Sequence, residues 1–175
     1  FNRTAIGSSE SDINDVISAK MGIQLGATAM FELTDAIQLR TGALYSQKGA
    51  IWAFDMGLGS EDIIMSLDYL EIPVDFAFML GGGGFALSAG PYFAFMMNKS
   101  AKNDDLEDLG LDLDGLVDDV SGMDFGLNLG ASYLINENFI IDARYGMGLA
   151  NLNSDSDADD TSLNGALQIS VGYNF

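Results

Sequence analysis

Apolar positions alternate with small or polar positions, with a period of two residues, along most of the chain. Apolar side chains occupy one face and small or polar side chains the other. Met21, Ile23 and Leu25, for example, are separated by glycine and glutamine. Successive side chains of a β-strand point to opposite faces, so this alternation predicts strands. The pattern recurs in seven segments, which cover residues 21–32, 37–48, 69–78, 85–96, 123–133, 139–149 and 163–175.

The length and the polar face of these segments favour a membrane barrel. A tilted strand crosses a bilayer with about 9–11 residues, which is close to the length of each segment. A soluble sandwich also alternates, but its wet face usually carries Lys, Glu and Thr. Here the second face is rich in glycine and carries charges of both signs. That composition suits the crowded interior of a small barrel, whose apolar face contacts lipid.

The predicted connections alternate in length. Short turns are expected at residues 33–35, 81–84 and 136–138, and long loops at Gly49–Ser66, Asn98–Ser121 and Asn151–Ser162. Short turns at one end and long loops at the other are the rule for bacterial outer-membrane barrels. The three long loops and residues 1–19 hold 18 of the 26 acidic residues. We therefore expect most of the net charge of −19 at the long-loop end.

Residues 76–98 contain no charged side chain and are long enough to cross a bilayer as a helix. Four consecutive glycines at positions 81–84 contradict that reading, because each costs a helix about 1 kcal/mol relative to alanine. We therefore predict a strand, a turn and a second strand.

Seven strands are an odd number, whereas single-chain bacterial barrels have an even number and keep both termini in the periplasm. An eighth strand is therefore expected before Met21, truncated or upstream, with Phe1, Asn2 and Arg3 as its last residues. The predicted fold is all-β: a transmembrane, antiparallel, up-and-down barrel of eight strands. Residues 1–175 form a single domain, with the long loops extracellular and the C-terminus periplasmic.

Composition narrows the possible chemistry. The chain has no cysteine and no histidine, which excludes thiolate nucleophiles and the commonest general base. It shows no phosphate-binding loop, no nucleophile elbow and no basic patch, and its negative charge argues against nucleic acid. We therefore expect neither enzymatic activity nor a nucleic-acid partner.

Several blocks of sequence resemble the PorT-like outer-membrane β-barrel domain of Bacteroidota porin-like proteins. The resemblance implies a small barrel in the outer membrane of a Gram-negative bacterium, and it implies little about activity. Two features depart from the family: the first strand is largely absent, and the third long loop is unusually acidic. The blocks that carry the resemblance are Leu44–Ala50, Tyr69–Pro73, Gly90–Phe93, Asp124–Gly130, Asp142–Leu149 and Ser170–Phe175.

The inward face is predicted to carry three cations and four carboxylates on neighbouring strands. An unpaired buried charge is costly, so we expect a paired network that holds the barrel closed. A proton or ion path is the alternative. The residues are Arg40, Lys48, Glu71, Asp75, Asp124, Asp142 and Arg144.

The second long loop combines apolar residues at helical spacing with many acids. Such an amphipathic stretch must bury its leucines, either as a lid over the barrel mouth or as a docking surface for another protein. The docking residues are Leu106, Leu109, Leu113, Leu116 and Val117.

The third long loop has the alternating carboxylates of the first half of a calcium loop. It lacks the glycine and the distal glutamate of an EF-hand, so it predicts at most a weak calcium site at Asp155, Asp157 and Asp159. No other cofactor is expected.

Aromatic residues near the strand ends, including Tyr69 and Tyr92, are interpreted as interface girdles. The function expected from all these features is a structural or accessory subunit of a larger outer-membrane assembly. Its partners would be outer-membrane lipid and other outer-membrane proteins. The alternative is a narrow channel for ions or small solutes.

Overall fold

The computed structural model describes residues 2–7, 17–55, 60–82, 84–102, 121–136, 138–150 and 163–174. Within these ranges no helix is long and apolar enough to cross a membrane. Residues 76–98 belong to two strands and their turn, as predicted. The strands are β1 Asn2–Gly7, β2 Ile17–Gly22, β3 Gln24–Thr34, β4 Ile37–Asp55, β5 Ser60–Leu80, β6 Phe85–Lys102, β7 Met123–Ile135, β8 Phe139–Gly148 and β9 Leu163–Tyr173.

The sheet closes on itself. From β3 to β9 each strand pairs antiparallel with the next, and β1 pairs with both β9 and β2. Strand β2 also pairs with β4, which completes the ring. Because β2 and β3 lie in succession along β4, interrupted only at Ile23, they form two parts of one strand. Among the described residues the barrel therefore has eight strands, which confirms the predicted fold class.

Strand β1 completes the wall at the long-loop end. At the long-loop end β1 lies between β9 and β2, with Asn2 opposite both Gln168 and Gly22. Towards the short turns, β4 is the only strand paired with β3 within the described ranges. Thr28, which lies on the inward face of β3, is exposed as a result.

The first strand extends further than expected. Phe1, Asn2 and Arg3 were predicted to be its last residues, but β1 continues to Gly7. The prediction was wrong because the register with β9 is maintained, with Ile6 opposite Asn164.

The first long loop was also predicted wrongly. Residues Gly49–Ser66 mostly continue β4 and β5, whose pairing runs from Lys48 opposite Leu67 to Asp55 opposite Ser60. The alternation of inward and outward residues continues along this hairpin: Ala50 and Met65 point inward and are buried, while Ile64 is exposed. The hairpin therefore continues the barrel well beyond the segments predicted from sequence.

The assignment of faces is confirmed. On β7, Leu127 and Leu129 are exposed, whereas Asp124 and Asn128 alternate with them and are buried. Aromatic side chains also gather at the short-turn end, where Phe139 and Tyr173 on neighbouring strands meet edge to face with ring centroids 5.3 Å apart. Apolar residues thus cover the outer wall, and the polar residues of these strands point into the lumen.

One close approach inside the barrel requires glycine. A Cβ atom at Gly126 would lie 2.7 Å from Cε1 of Tyr92 and would also clash with the carbonyl oxygen of Met147. The Tyr92 ring therefore occupies the space that a side chain on β7 would need. Gly122, just before the same strand, has nothing within 4 Å of that position.

We expect Gly126→Ala to destabilise the barrel by about 1–3 kcal/mol, because overpacking must displace Tyr92 or the β8 backbone. The measurement is the free energy of urea unfolding of the protein folded in detergent micelles. Gly122→Ala is the matched control and should leave that free energy unchanged. Equal stability of the two variants would contradict the packing described here.

Candidate functional site: the charged barrel interior

All seven charges predicted for the lumen lie on inward faces. They come from four strands, β4, β5, β7 and β8. In each of these strands alternate residues point inwards. Six of the residues are buried, and the Asp142 side chain is 13% exposed. The structure gathers them into two groups, one centred on Lys48 and one on Arg144.

The first group, the Lys48 cluster, is built around one ammonium group. Nζ of Lys48 lies 3.2 Å from Oε2 of Glu71 and 3.3 Å from Oδ2 of Asp124. Asp124 also accepts a hydrogen bond at 3.1 Å from Nδ2 of Asn164. The exposed fraction of each charged side chain is 2% or less, so these ions are shielded from solvent.

Two tyrosines complete the Lys48 cluster. Nζ of Lys48 lies 4.6 Å from the ring centroid of Tyr92 and 5.3 Å from that of Tyr69. The Tyr92 hydroxyl donates a hydrogen bond to Oδ2 of Asp124 at 3.1 Å. Both tyrosines are buried. Their interpretation as interface girdle residues was therefore wrong: both alternate in step with the inward-facing residues, so their rings contact the lumenal lysine.

The second group, the arginine cluster, lies nearer the short turns. Nη2 of Arg144 is 3.2 Å from Oδ2 of Asp75 and 3.6 Å from Oδ1 of Asp142. Nδ2 of Asn128 donates to Oδ1 of Asp75 at 3.5 Å. Arg144 is thus shared between two carboxylates.

Arg40 belongs to the same group but has different partners. Its Nη1 donates to Oγ of Ser132 at 2.8 Å, and its Nη2 donates to Oε1 of Gln38 at 3.3 Å. Within the described ranges, no ion pair joins Arg40 to a carboxylate. Among the described residues, the hydrogen-bond partners of its guanidinium are neutral side chains.

Apolar side chains pack around the Lys48 cluster and continue towards the long loops. Leu67, Tyr69, Tyr92 and Ala94 form a buried cluster against which Met96 packs. The next inward-facing residues of the β4–β5–β6 wall are also buried: Ala50, Ile63, Met65 and Ala101. The lumen thus changes from charged to apolar along its axis.

The two loop predictions lie outside the described residues. These are the docking residues Leu106, Leu109, Leu113, Leu116 and Val117, and the calcium residues Asp155, Asp157 and Asp159. Elsewhere, in the parts of the chain that the structure describes, no three acidic side chains are grouped so as to hold a metal ion.

Neutral members of the network were not predicted as site residues. They are Asn128, Ser132 and Asn164, together with the misassigned tyrosines. Their position in the two-residue repeat was the available signal, because Asn128 and Ser132 lie four and eight residues after Asp124 and therefore share its face.

Comparisons with solved structures find outer-membrane barrels. Ail of Yersinia pestis is 12% identical, with 99% of this chain and 93% of that chain covered and a TM-score of 0.46. OprG from Pseudomonas aeruginosa is 14% identical, with 99% and 92% covered and a TM-score of 0.47. Identities and scores this low do not indicate a shared function. No curated protein matches the chain.

A family model described as "Outer membrane protein beta-barrel domain" matches residues 1–154. This description names a broader family than the PorT-like one. The PorT-like resemblance stays a prediction. The match covers most of the 175 residues and agrees with the closed antiparallel sheet. The chain therefore belongs to the outer membrane protein beta-barrel domain family.

Proposed function

We propose that this protein is a closed, non-enzymatic barrel that serves as an accessory subunit of a larger outer-membrane assembly. The observation that carries the proposal is the Lys48 cluster, which fills the lumen with mutually paired side chains from five strands. A lumen occupied in this way favours a structural role over transport.

The narrow-channel alternative would require solutes to pass both charged clusters and the apolar layer. An eight-stranded barrel is only wide enough for its own side chains. The ions of the Lys48 cluster are also bound to each other, so a permeating ion would have to displace a buried partner. That displacement is costly, because it leaves a charge unpaired.

The proposed orientation places the long acidic loops outside the cell, and the short turns and C-terminus in the periplasm. This follows the usual arrangement of bacterial outer-membrane barrels. Partners would then meet the apolar residues of the second long loop, and lipid would meet the outer wall. The PorT-like resemblance supports the same assignment, since some members of that family belong to secretion assemblies.

We expect the purified barrel to show no stepwise conductance in planar bilayers bathed in potassium chloride, because the Lys48 cluster closes the lumen. A porin of known conductance inserted in the same membranes is the control. Reproducible current steps that scale with the amount of protein would contradict a closed barrel and favour the channel.

Lys48→Met should destabilise the barrel by about 3–5 kcal/mol, because it leaves Glu71 and Asp124 buried without their cation. Urea unfolding followed by the fluorescence of the single tryptophan, Trp52, measures the change. Lys102→Met removes the same charge at an exposed position and should cost much less. A small effect at Lys48 would mean that the cluster does not hold the barrel closed.

Extraction from native membranes in mild detergent tests the accessory role. We expect the barrel to elute in size-exclusion chromatography with other outer-membrane proteins at fixed stoichiometry, as identified by mass spectrometry. Replacing Leu109 and Leu113 with aspartate should abolish co-elution, whereas Asp155→Asn and Asp157→Asn should preserve it. Elution of the wild-type barrel alone would contradict the proposal.

A further inference from the structure

The Lys48 cluster holds one more negative charge than positive charge. Its single ammonium group is shared between two carboxylates, those of Glu71 and Asp124, and all three side chains are 2% exposed or less. The arginine cluster, by contrast, is balanced, because it combines two arginines with two aspartates. Among the described residues no further cation forms an ion pair with Glu71 or Asp124. A net charge buried in this way is costly unless a counterion neutralises it.

Three buried oxygen atoms of the same cluster lack hydrogen-bond partners among the described residues. They are Oε1 of Glu71, Oδ1 of Asp124 and the hydroxyl oxygen of Tyr69. The hydroxyl of Tyr92 donates to Asp124, whereas that of Tyr69, a residue with 0% exposure, has no such acceptor in the described part of the chain. A buried polar atom without a partner is destabilising, so these oxygens point to a bound ligand.

The sheet register brings these oxygens to one level of the lumen. Glu71 on β5 and Asp124 on β7 both lie opposite Ala94 of β6, so their Cα atoms are about 10 Å apart across a single methyl group. Both carboxylates contact the same ammonium group, which brings their side chains together above that alanine. Tyr69 lies two residues before Glu71 on the same face of β5, and its ring centroid is 5.3 Å from Nζ of Lys48. Two carboxylates and a phenol therefore converge on one region of the lumen.

We propose that the Lys48 cluster binds one sodium ion, with Oε1 of Glu71, Oδ1 of Asp124 and the Tyr69 hydroxyl as its ligands. Oxygen atoms are the ligands that hard cations prefer, and all three of these atoms are acceptors. One monovalent ion restores neutrality, whereas a divalent ion would leave an excess positive charge buried. Sodium is the smaller of the two abundant monovalent cations, which suits the space above one alanine.

A proton is the other way to neutralise the cluster. It could sit on one carboxylate and be shared with the second, but it would leave the third oxygen, the Tyr69 hydroxyl, without a partner. A cation is coordinated by all three oxygens at once. The ion is structural and remains inside the closed lumen, so this site is independent of the accessory role proposed above.

Equilibrium unfolding in urea tests the site, with the barrel in micelles of an uncharged detergent and the fluorescence of Trp52 as the signal. Sodium chloride replaces N-methylglucamine chloride stepwise at constant pH and ionic strength, because both salts then screen the surface charges equally. We expect the unfolding equilibrium constant to fall by roughly tenfold for each tenfold rise in sodium concentration above the dissociation constant.

Three variants locate the effect. Glu71→Gln leaves one ammonium group and one carboxylate, so this variant should fold, and its stability should no longer depend on sodium. Tyr69→Phe keeps the charges and removes one ligand, so it should need several times more sodium for the same stabilisation. Glu32→Gln makes the same change as Glu71→Gln at an exposed position and should respond to sodium like the wild type.

A wild-type barrel that is equally stable in both salts would overturn the proposal, and so would a folded Glu71→Gln or Tyr69→Phe barrel with an unchanged response to sodium. Stability that ignores sodium but declines as the pH rises above neutral would assign the excess charge to a proton, which also overturns the site. If Glu71→Gln does not fold, the Tyr69→Phe barrel decides between these outcomes, because it retains both ion pairs of Lys48.

Discussion

The ammonium group of Lys48 between Glu71 and Asp124 is the interaction on which the interior depends. One cation pairs with carboxylates from two strands, and Tyr92 and Asn164 add contacts from two more. In water such a pair contributes little, but a buried ion without its partner is strongly destabilising. The glycine at position 126 is a consequence, since the Tyr92 ring that covers the lysine leaves no space for a side chain there.

Much of the fold could be predicted because a strand of a membrane barrel has two chemically distinct faces. The inward positions of Glu71 and Asp124 follow directly from the two-residue repeat. The same repeat places Tyr69 and Tyr92 inside, but their aromatic character suggested the membrane interface instead. The position of each tyrosine in the two-residue repeat predicted its face correctly, because the backbone and not the side-chain type determines which face a residue occupies.

Other features could not be predicted from the two-residue repeat. The β4–β5 hairpin extends through Asp55 and Ser60 because its strands continue to pair, although a long loop was predicted there. The repeat also could not predict which carboxylate pairs with which arginine. Arg40 faces Asp75 in the register, yet Asp75 pairs with Arg144 on the far side of the lumen. Register determines which residues are neighbours along the wall, whereas the contacts across the lumen depend on how the whole ring closes.

The Lys48 cluster draws its side chains from β4, β5, β6, β7 and β9, so no single hairpin contains it. Lys48 can pair with Glu71 inside the β4–β5 hairpin, but Asp124 must remain hydrated until β7 joins them, because an unpaired ion in hydrocarbon is prohibitively costly. Water must therefore stay in the lumen until β4, β5 and β7 are together. Insertion into the membrane is then expected to be cooperative, with half-assembled barrels kept at the bilayer surface until these three strands have joined.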